Sequence, residues 1–175
     1  MIAVEPAKAA VLLFVAAIVQ VSIVSSFTLL GGRPDLLLLT VVAVALLRGS
    51  ITGAIGGFGA GLVVDTANLD TLGVTSLLLT VAGYLIGRYG ETTGRDRTHA
   101  PFVSVGVVTI AYAIGALTLH FVLGEHAPAR VILIDRLPPE VLFNLILTLP
   151  VYAVVRRVVR PLDRSERAQE VHLLV

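Results

Sequence analysis

Long runs of residues without a charged side chain constrain this chain more than any other feature. Residues 9–32 contain no charge over 24 positions, and residues 98–124 contain none over 27. About 20 apolar residues in a helix cross the ~30 Å hydrocarbon core of a bilayer. Only 14% of all residues are charged, against about 25% in soluble domains. We therefore expect a single-domain integral membrane protein.

Six membrane-spanning helices account for the spacing of these runs. The first run exceeds the roughly 7–15 apolar residues of a secretory signal, so we expect it to be a retained helix. Arg48 divides residues 36–64 into two short spans. A single tilted helix is the alternative, but a charge at the bilayer centre costs at least about 2.5–3.5 kcal/mol, which favours two short helices. We predict an all-α membrane bundle with spans at about residues 9–32, 34–47, 49–65, 71–87, 99–123 and 140–156.

Basic residues are distributed unequally between the two sides that six spans create. Ten of the thirteen Lys and Arg residues lie on the side of the N-terminus, and only Arg33, Arg130 and Arg136 lie on the other. Because loops rich in Lys and Arg stay in the cytoplasm, we predict cytoplasmic termini, including a tail at residues 157–175. A five-span arrangement, which would place the N-terminus outside, stays open.

The third span lies in the stretch RGSITGAIGGFGAGLVVD, residues 48–65, which holds six of the sixteen glycines. Neither phosphate-binding glycine motif fits it. The register G-x-G-x-x-G requires glycine where Leu62 or Val64 stands, and a P-loop requires lysine at Leu62. Nucleotide binding by this stretch is therefore not predicted.

A helical arrangement explains the same glycines better. On a helix, one face collects residues four apart, here Gly49, Gly53, Gly57 and Gly61. Such small-residue faces let helix backbones approach closely in membranes. Gly83 and Gly87 repeat the spacing in the following span and are natural partners. We interpret this face as helix packing inside the protein; a groove for an external helix or a lipid is the alternative.

The sequence offers no pattern typical of catalysis or metal binding. There is no cysteine, and the four histidines lack the spacing of metal ligands. We predict no catalytic residue, metal or cofactor, and a net charge of +1 gives no case for nucleic acid binding. Asp35, Asp65 and Asp70 are interpreted as helix caps that face water, with binding of a cation or polar substrate as the alternative. Gln20 and Asn144 are expected to bridge helices.

Three motifs follow each other in the first half of the chain: RPDLLLL, then GSITGAIGGFGAGLVVD, then DTLGVTSLLLTVAGYLIG. Their order resembles the family of the rod shape-determining protein MreD. In that family a Pro-Asp-Leu opening precedes a helix that ends in G-F-x-x-G-L-x-x-D, and a span with Gly-Tyr-x-x-Gly follows. The matching residues here are Pro34, Asp35, Leu36, Gly57, Phe58, Gly61, Leu62, Asp65, Gly73, Gly83, Tyr84 and Gly87.

The resemblance implies a non-enzymatic role in bacterial cell elongation at the inner membrane. It implies association with the bitopic protein MreC in the Rod complex, or elongasome. Through MreC it implies links to a SEDS glycosyltransferase, a class B penicillin-binding protein and MreB, and so to peptidoglycan synthesis. It also implies a fold similar to the S components of energy-coupling-factor transporters.

A transporter S component is itself the rival hypothesis. Such a subunit binds a vitamin or metal through polar or aromatic residues that converge on an outward cavity, and it docks to an ATP-driven module. The few polar residues at the outer helix ends speak against it here. An orphan structural membrane protein is the third hypothesis.

Overall fold

The structure is a computed structural model that describes residues 4–22, 32–69, 71–93, 100–124 and 130–159. Within these ranges the chain is helical and contains no strand, which confirms the predicted six-helix bundle. The helices are α1 Val4–Ser22, α2 Leu36–Arg48, α3 Ser50–Asn68, α4 Val74–Thr93, α5 Ala100–Val122 and α6 Leu137–Val158.

Helix α2 forms the centre of the bundle. Every residue from Leu37 to Leu47 is buried, because the other five helices all pack against α2. Thirteen residues at 1.5 Å each give a helix of roughly 20 Å, shorter than the bilayer core. The surrounding helices separate α2 from lipid on every side. Its short length therefore creates no hydrophobic mismatch with the bilayer.

Gly49 separates α2 from α3, so the two short helices are distinct. Its φ of 97° is unfavourable for residues that have a Cβ atom. The chain therefore turns at Gly49 and restarts as a helix at Ser50. Gly49, the first residue of the predicted span 49–65, is the N-cap of α3 and precedes its first helical residue.

Two other helix ends differ from the predicted bounds. Helix α4 continues to Thr93, six residues beyond the end of the predicted span 71–87. Helix α6 begins earlier than residue 140 and is preceded by one π-helical segment, Val131–Arg136. The N–H of Leu137 donates to the carbonyl of Ile132, five residues back. The prolines at 138 and 139 follow directly and have no backbone N–H to donate. The regular backbone hydrogen bonds from residue i to residue i−4 are therefore missing at these two positions.

The outer surface of the bundle is apolar and its interior holds polar groups. Ile51, Ile55 and Phe58 on α3 are all more than half exposed, whereas Asn144 and Thr109 are buried. The interior is largely apolar as well, so the many exposed apolar side chains are the feature that matches a lipid environment. Among the described residues, three helices are long and apolar enough to cross a membrane, namely Ser50–Asn68, Ala100–Val122 and Val131–Val158.

Candidate functional site at the glycine-packed helix pair

Helices α3 and α4 approach each other to direct backbone contact. A Cβ atom added at Gly53 would lie 2.6 Å from the carbonyl oxygen of Gly83. A Cβ atom added at Gly57 would lie 2.7 Å from the carbonyl carbon of Leu79. Both distances are far below the ~3.5–4.0 Å of ordinary carbon contacts. Only glycine permits this helix separation at these positions.

The close approach extends to both ends of the pair. A Cβ atom at Gly61 would lie 2.6 Å from the backbone nitrogen of Ser76, and one at Gly87 would lie 2.5 Å from the carbonyl carbon of Gly49. The structure thus brings the six glycines singled out in the sequence into one internal interface. Because α4 covers this face of α3, no external helix can occupy it in the same conformation.

Asp65, near the end of α3, caps the start of α4. Its carboxylate accepts hydrogen bonds from the backbone N–H groups of Gly73 at 2.8 Å, Thr75 at 3.2 Å and Ser76 at 3.3 Å. These N–H groups have no partner inside their own helix, and a negative charge is favourable at a helix N-terminus. Asp65 is only 1% exposed. The expectation that it faces water was wrong, because it caps a neighbouring helix instead.

Glu91, near the end of α4, caps the start of α3 in return. Its Oε1 atom accepts a hydrogen bond from the backbone N–H of Ser50 at 2.8 Å and one from the Ser50 hydroxyl at 3.1 Å. Arg88, one turn earlier, lies 3.8 Å from the same carboxylate. These contacts give the last turn of α4 a structural role, which explains why the helix continues past its apolar part.

Both capping carboxylates continue a glycine stripe. Asp65 follows Gly53, Gly57 and Gly61 at the same four-residue step, and Glu91 likewise follows Gly83 and Gly87. Residues four apart share a helix face, so each carboxylate points at the helix that its glycines contact. This spacing is the sequence signal for Glu91, which the sequence analysis missed.

A second polar cluster surrounds the start of α2. The Asp35 carboxylate accepts the N–H of Leu38 at 2.9 Å and so caps α2. The Gln20 side chain on α1 accepts the N–H of Leu36 at 2.8 Å and donates to the carbonyl of Pro34 at 3.4 Å. The Pro-Asp-Leu turn is therefore held by α1 as well as by its own cap.

Asn144 on α6 joins the same cluster from the opposite side. Its Oδ1 atom accepts the backbone N–H of Asp35 at 2.8 Å, and its Nδ2 atom donates to the Thr109 hydroxyl on α5 at 3.2 Å. Asn144 is fully buried, so these bonds replace the water it has lost. The prediction that Gln20 and Asn144 bridge helices is confirmed.

The remaining motif residues have separate positions. Gly73 has a φ of 97° in the turn before α4, where a side chain would be strained. Phe58 and Tyr84 are about half exposed on the outer faces of α3 and α4. Asp70, also singled out in the sequence, lies outside the described residues. In the described part of the chain, no group of three or more His, Cys, Asp or Glu residues could hold a metal ion.

An apolar groove runs between α1 and α3 on the side of α3 that faces away from α4. It encloses about 640 Å³ and is lined by residues that include Leu13 and Phe14 on α1 and Ile55 and Gly59 on α3. A Cβ atom added at Gly59 would meet no described atom within 4 Å. This glycine therefore leaves open space, unlike the glycines that face α4.

Comparison with protein families matches residues 7–161 to the rod shape-determining protein MreD. The chain belongs to the MreD family. The match extends well beyond the three motifs that first suggested it. Curated proteins and solved structures give no match, so the expected likeness to transporter S components stays a prediction. As a member of a family of structural, shape-determining membrane proteins, the chain has a role in rod shape determination.

Proposed function

We propose that this MreD-family chain is a non-enzymatic membrane scaffold of the cell-elongation machinery. It crosses the inner membrane six times, with both termini in the cytoplasm. It binds an MreC-like bitopic protein, and through that protein it supports a SEDS glycosyltransferase, a class B penicillin-binding protein and MreB. Family membership and the excess of basic residues on one side support this proposal.

The α1–α3 groove is the surface that we propose binds the bitopic partner. The glycine face of α3 is covered by α4, so it offers nothing to a partner. The groove is apolar, and its floor includes small residues such as Gly56, Gly59 and Ala60. In lipid, helices associate where small residues let their backbones approach. A bitopic partner supplies one apolar transmembrane helix, which is the occupant that we assign to this groove.

Filling the groove with a side chain tests this assignment. Gly59→Leu places a leucine in the open space, and its matched control is Gly106→Leu on α5, where a Cβ atom would lie 3.9 Å from the nearest described atom. Both changes replace a helical glycine at which a Cβ atom meets no closer than ordinary van der Waals contact. We expect equal amounts of both variants in the membrane. After detergent extraction, we expect at least about tenfold less MreC-like protein to co-purify with Gly59→Leu than with Gly106→Leu. This corresponds to a difference of about 1.4 kcal/mol in binding free energy.

Two results would contradict the proposal in different ways. Equal recovery of the partner by both variants would remove the groove as its binding surface. Recovery of an ATPase pair together with a bound vitamin, in place of an MreC-like protein and wall synthases, would replace the scaffold with the S-component hypothesis.

A further inference from the structure

A second cavity, distinct from the α1–α3 groove, opens beside the start of α2. Its volume is about 200 Å³, enough for roughly seven water molecules at ~30 Å³ each. Its lining includes polar residues from several parts of the fold: Gln20, Arg33, Asp35, Asn68, Thr75 and Tyr112. The polar residues at these helix ends are few in the sequence, but the fold brings them together around one cavity.

The two charged residues of this cavity lie at different depths. Arg33 is exposed, Asp35 is half-buried, and the lining also includes the buried side chains of Leu37 and Leu79. The cation therefore belongs to the mouth, and the carboxylate lies further in. Ionisable groups inside membrane bundles are expensive to keep and generally mark a path or site for a polar ligand.

The other polar groups divide into those that shape the wall and those that can contact a ligand. Gln20 uses both ends of its amide on the backbone of the turn before α2, so it shapes the wall. Tyr112 and Thr75 both line the cavity, and each hydroxyl can both donate and accept a hydrogen bond. One carboxylate oxygen of Asp35 accepts the N–H of Leu38. A carboxylate has about four acceptor positions, so Asp35 can accept from a further donor.

We propose that this cavity binds a small zwitterion, with its ammonium group at Asp35 and its anionic group at Arg33. This chemistry has two sources: a free amino acid, or the phosphoethanolamine headgroup of a membrane lipid. The hydroxyls of Tyr112 and Thr75 complete the hydrogen bonding between the two charges. The site is separate from the groove assigned to the partner helix, and the proposal does not depend on that assignment.

Titration of the full chain in nanodiscs made only of phosphatidylglycerol tests the free ligand. The probes are alanine and phosphoethanolamine, with acetate and ethanolamine as single-charge controls. We expect the zwitterions to bind at least about tenfold more tightly than either control, a difference of about 1.4 kcal/mol. Asp35→Asn keeps an oxygen to cap α2 but removes the charge. This variant and Arg33→Gln should each weaken zwitterion binding at least tenfold, whereas Arg130→Gln, at an exposed arginine outside the cavity, should leave it unchanged.

Native mass spectrometry of protein extracted from phosphatidylethanolamine-containing membranes tests the lipid source. Retention of that lipid by the wild-type chain and its loss in Asp35→Asn would assign the site to the headgroup. Binding of alanine without lipid retention would assign it to a free zwitterion. Absence of both, or equal binding in Asp35→Asn, Arg33→Gln and the wild type, would overturn the proposal, as would an equal loss in Arg130→Gln. Thermal unfolding of each variant, measured alongside, shows whether the fold is intact.

Discussion

Replacing Gly57 with alanine tests whether backbone contact between α3 and α4 stabilises the fold. The added Cβ atom would lie 2.7 Å from the carbonyl carbon of Leu79 and 3.1 Å from the nitrogen of Thr80. Ordinary carbon contacts are about 3.5–4.0 Å, so the two helices must separate by roughly 1 Å. Both neighbouring atoms belong to backbone and cannot move aside. Overpacking of this kind costs about 1–3 kcal/mol.

Gly59→Ala is the matched control, because Gly59 is in the same helix and its Cβ atom would meet no described atom within 4 Å. Any gain in helix propensity is the same at both positions and cancels in the comparison. In a denaturant titration of the purified protein in detergent, the free energy of unfolding of Gly57→Ala should be about 1–3 kcal/mol lower than that of Gly59→Ala. The larger change Gly57→Leu should disrupt folding while membrane insertion continues. Equal stability of the two alanine variants would refute the argument that backbone contact limits this position.

Three further predictions follow from the caps, the buried amide and the charge distribution. Asp65→Ala should lower the free energy of unfolding by about 1–3 kcal/mol, and Asp65→Asn by less, because the amide oxygen still accepts; equal losses would argue against capping. Asn144→Ala should cost about 1–3 kcal/mol in the same titration because it leaves two polar groups without partners, whereas Thr118→Ala, whose hydroxyl bonds back to its own helix, should cost little. A single cysteine at Gly94 should resist an impermeant thiol reagent in whole cells, and one at His126 should react. Gly94 and His126 both lie outside the described residues. The reverse labelling of the two cysteines would contradict the predicted topology.

Helix number and family were predictable from sequence because both depend on local patterns. Apolar runs predict helices in a membrane, and the order of the Pro-Asp-Leu, Gly-rich and Gly-Tyr motifs predicts the family. The end of α4 was not predictable in the same way. Arg88 and Glu91 lie beyond the predicted span 71–87, which stops at the first charged residue after its apolar run. Charge marks where a span leaves the apolar region and not where its helix ends. Glutamate and arginine are good helix formers.

The burial of Asp65 depended on tertiary structure. A carboxylate at the end of an apolar span faces water unless another helix begins beside it, and only the packing of α4 shows that one does. The four-residue step that links Asp65 to Gly61 predicts a shared face. It does not reveal the free N–H groups opposite that face. For the same reason, the cavity around Asp35 and Tyr112 was invisible in the sequence, since its residues come from distant segments.

The two faces of α3 have different consequences for partner binding. One face is fixed, because Gly53 and Gly57 contact the backbone of α4 and the carboxylates of Asp65 and Glu91 hold the two helix ends. The other face forms one wall of the α1–α3 groove, and Gly59 keeps that wall open. A helix that enters the groove therefore meets a preorganised wall, which reduces the ordering cost of binding. We expect any adjustment on binding to occur in α1, because movement of α3 would break its backbone contacts and both caps.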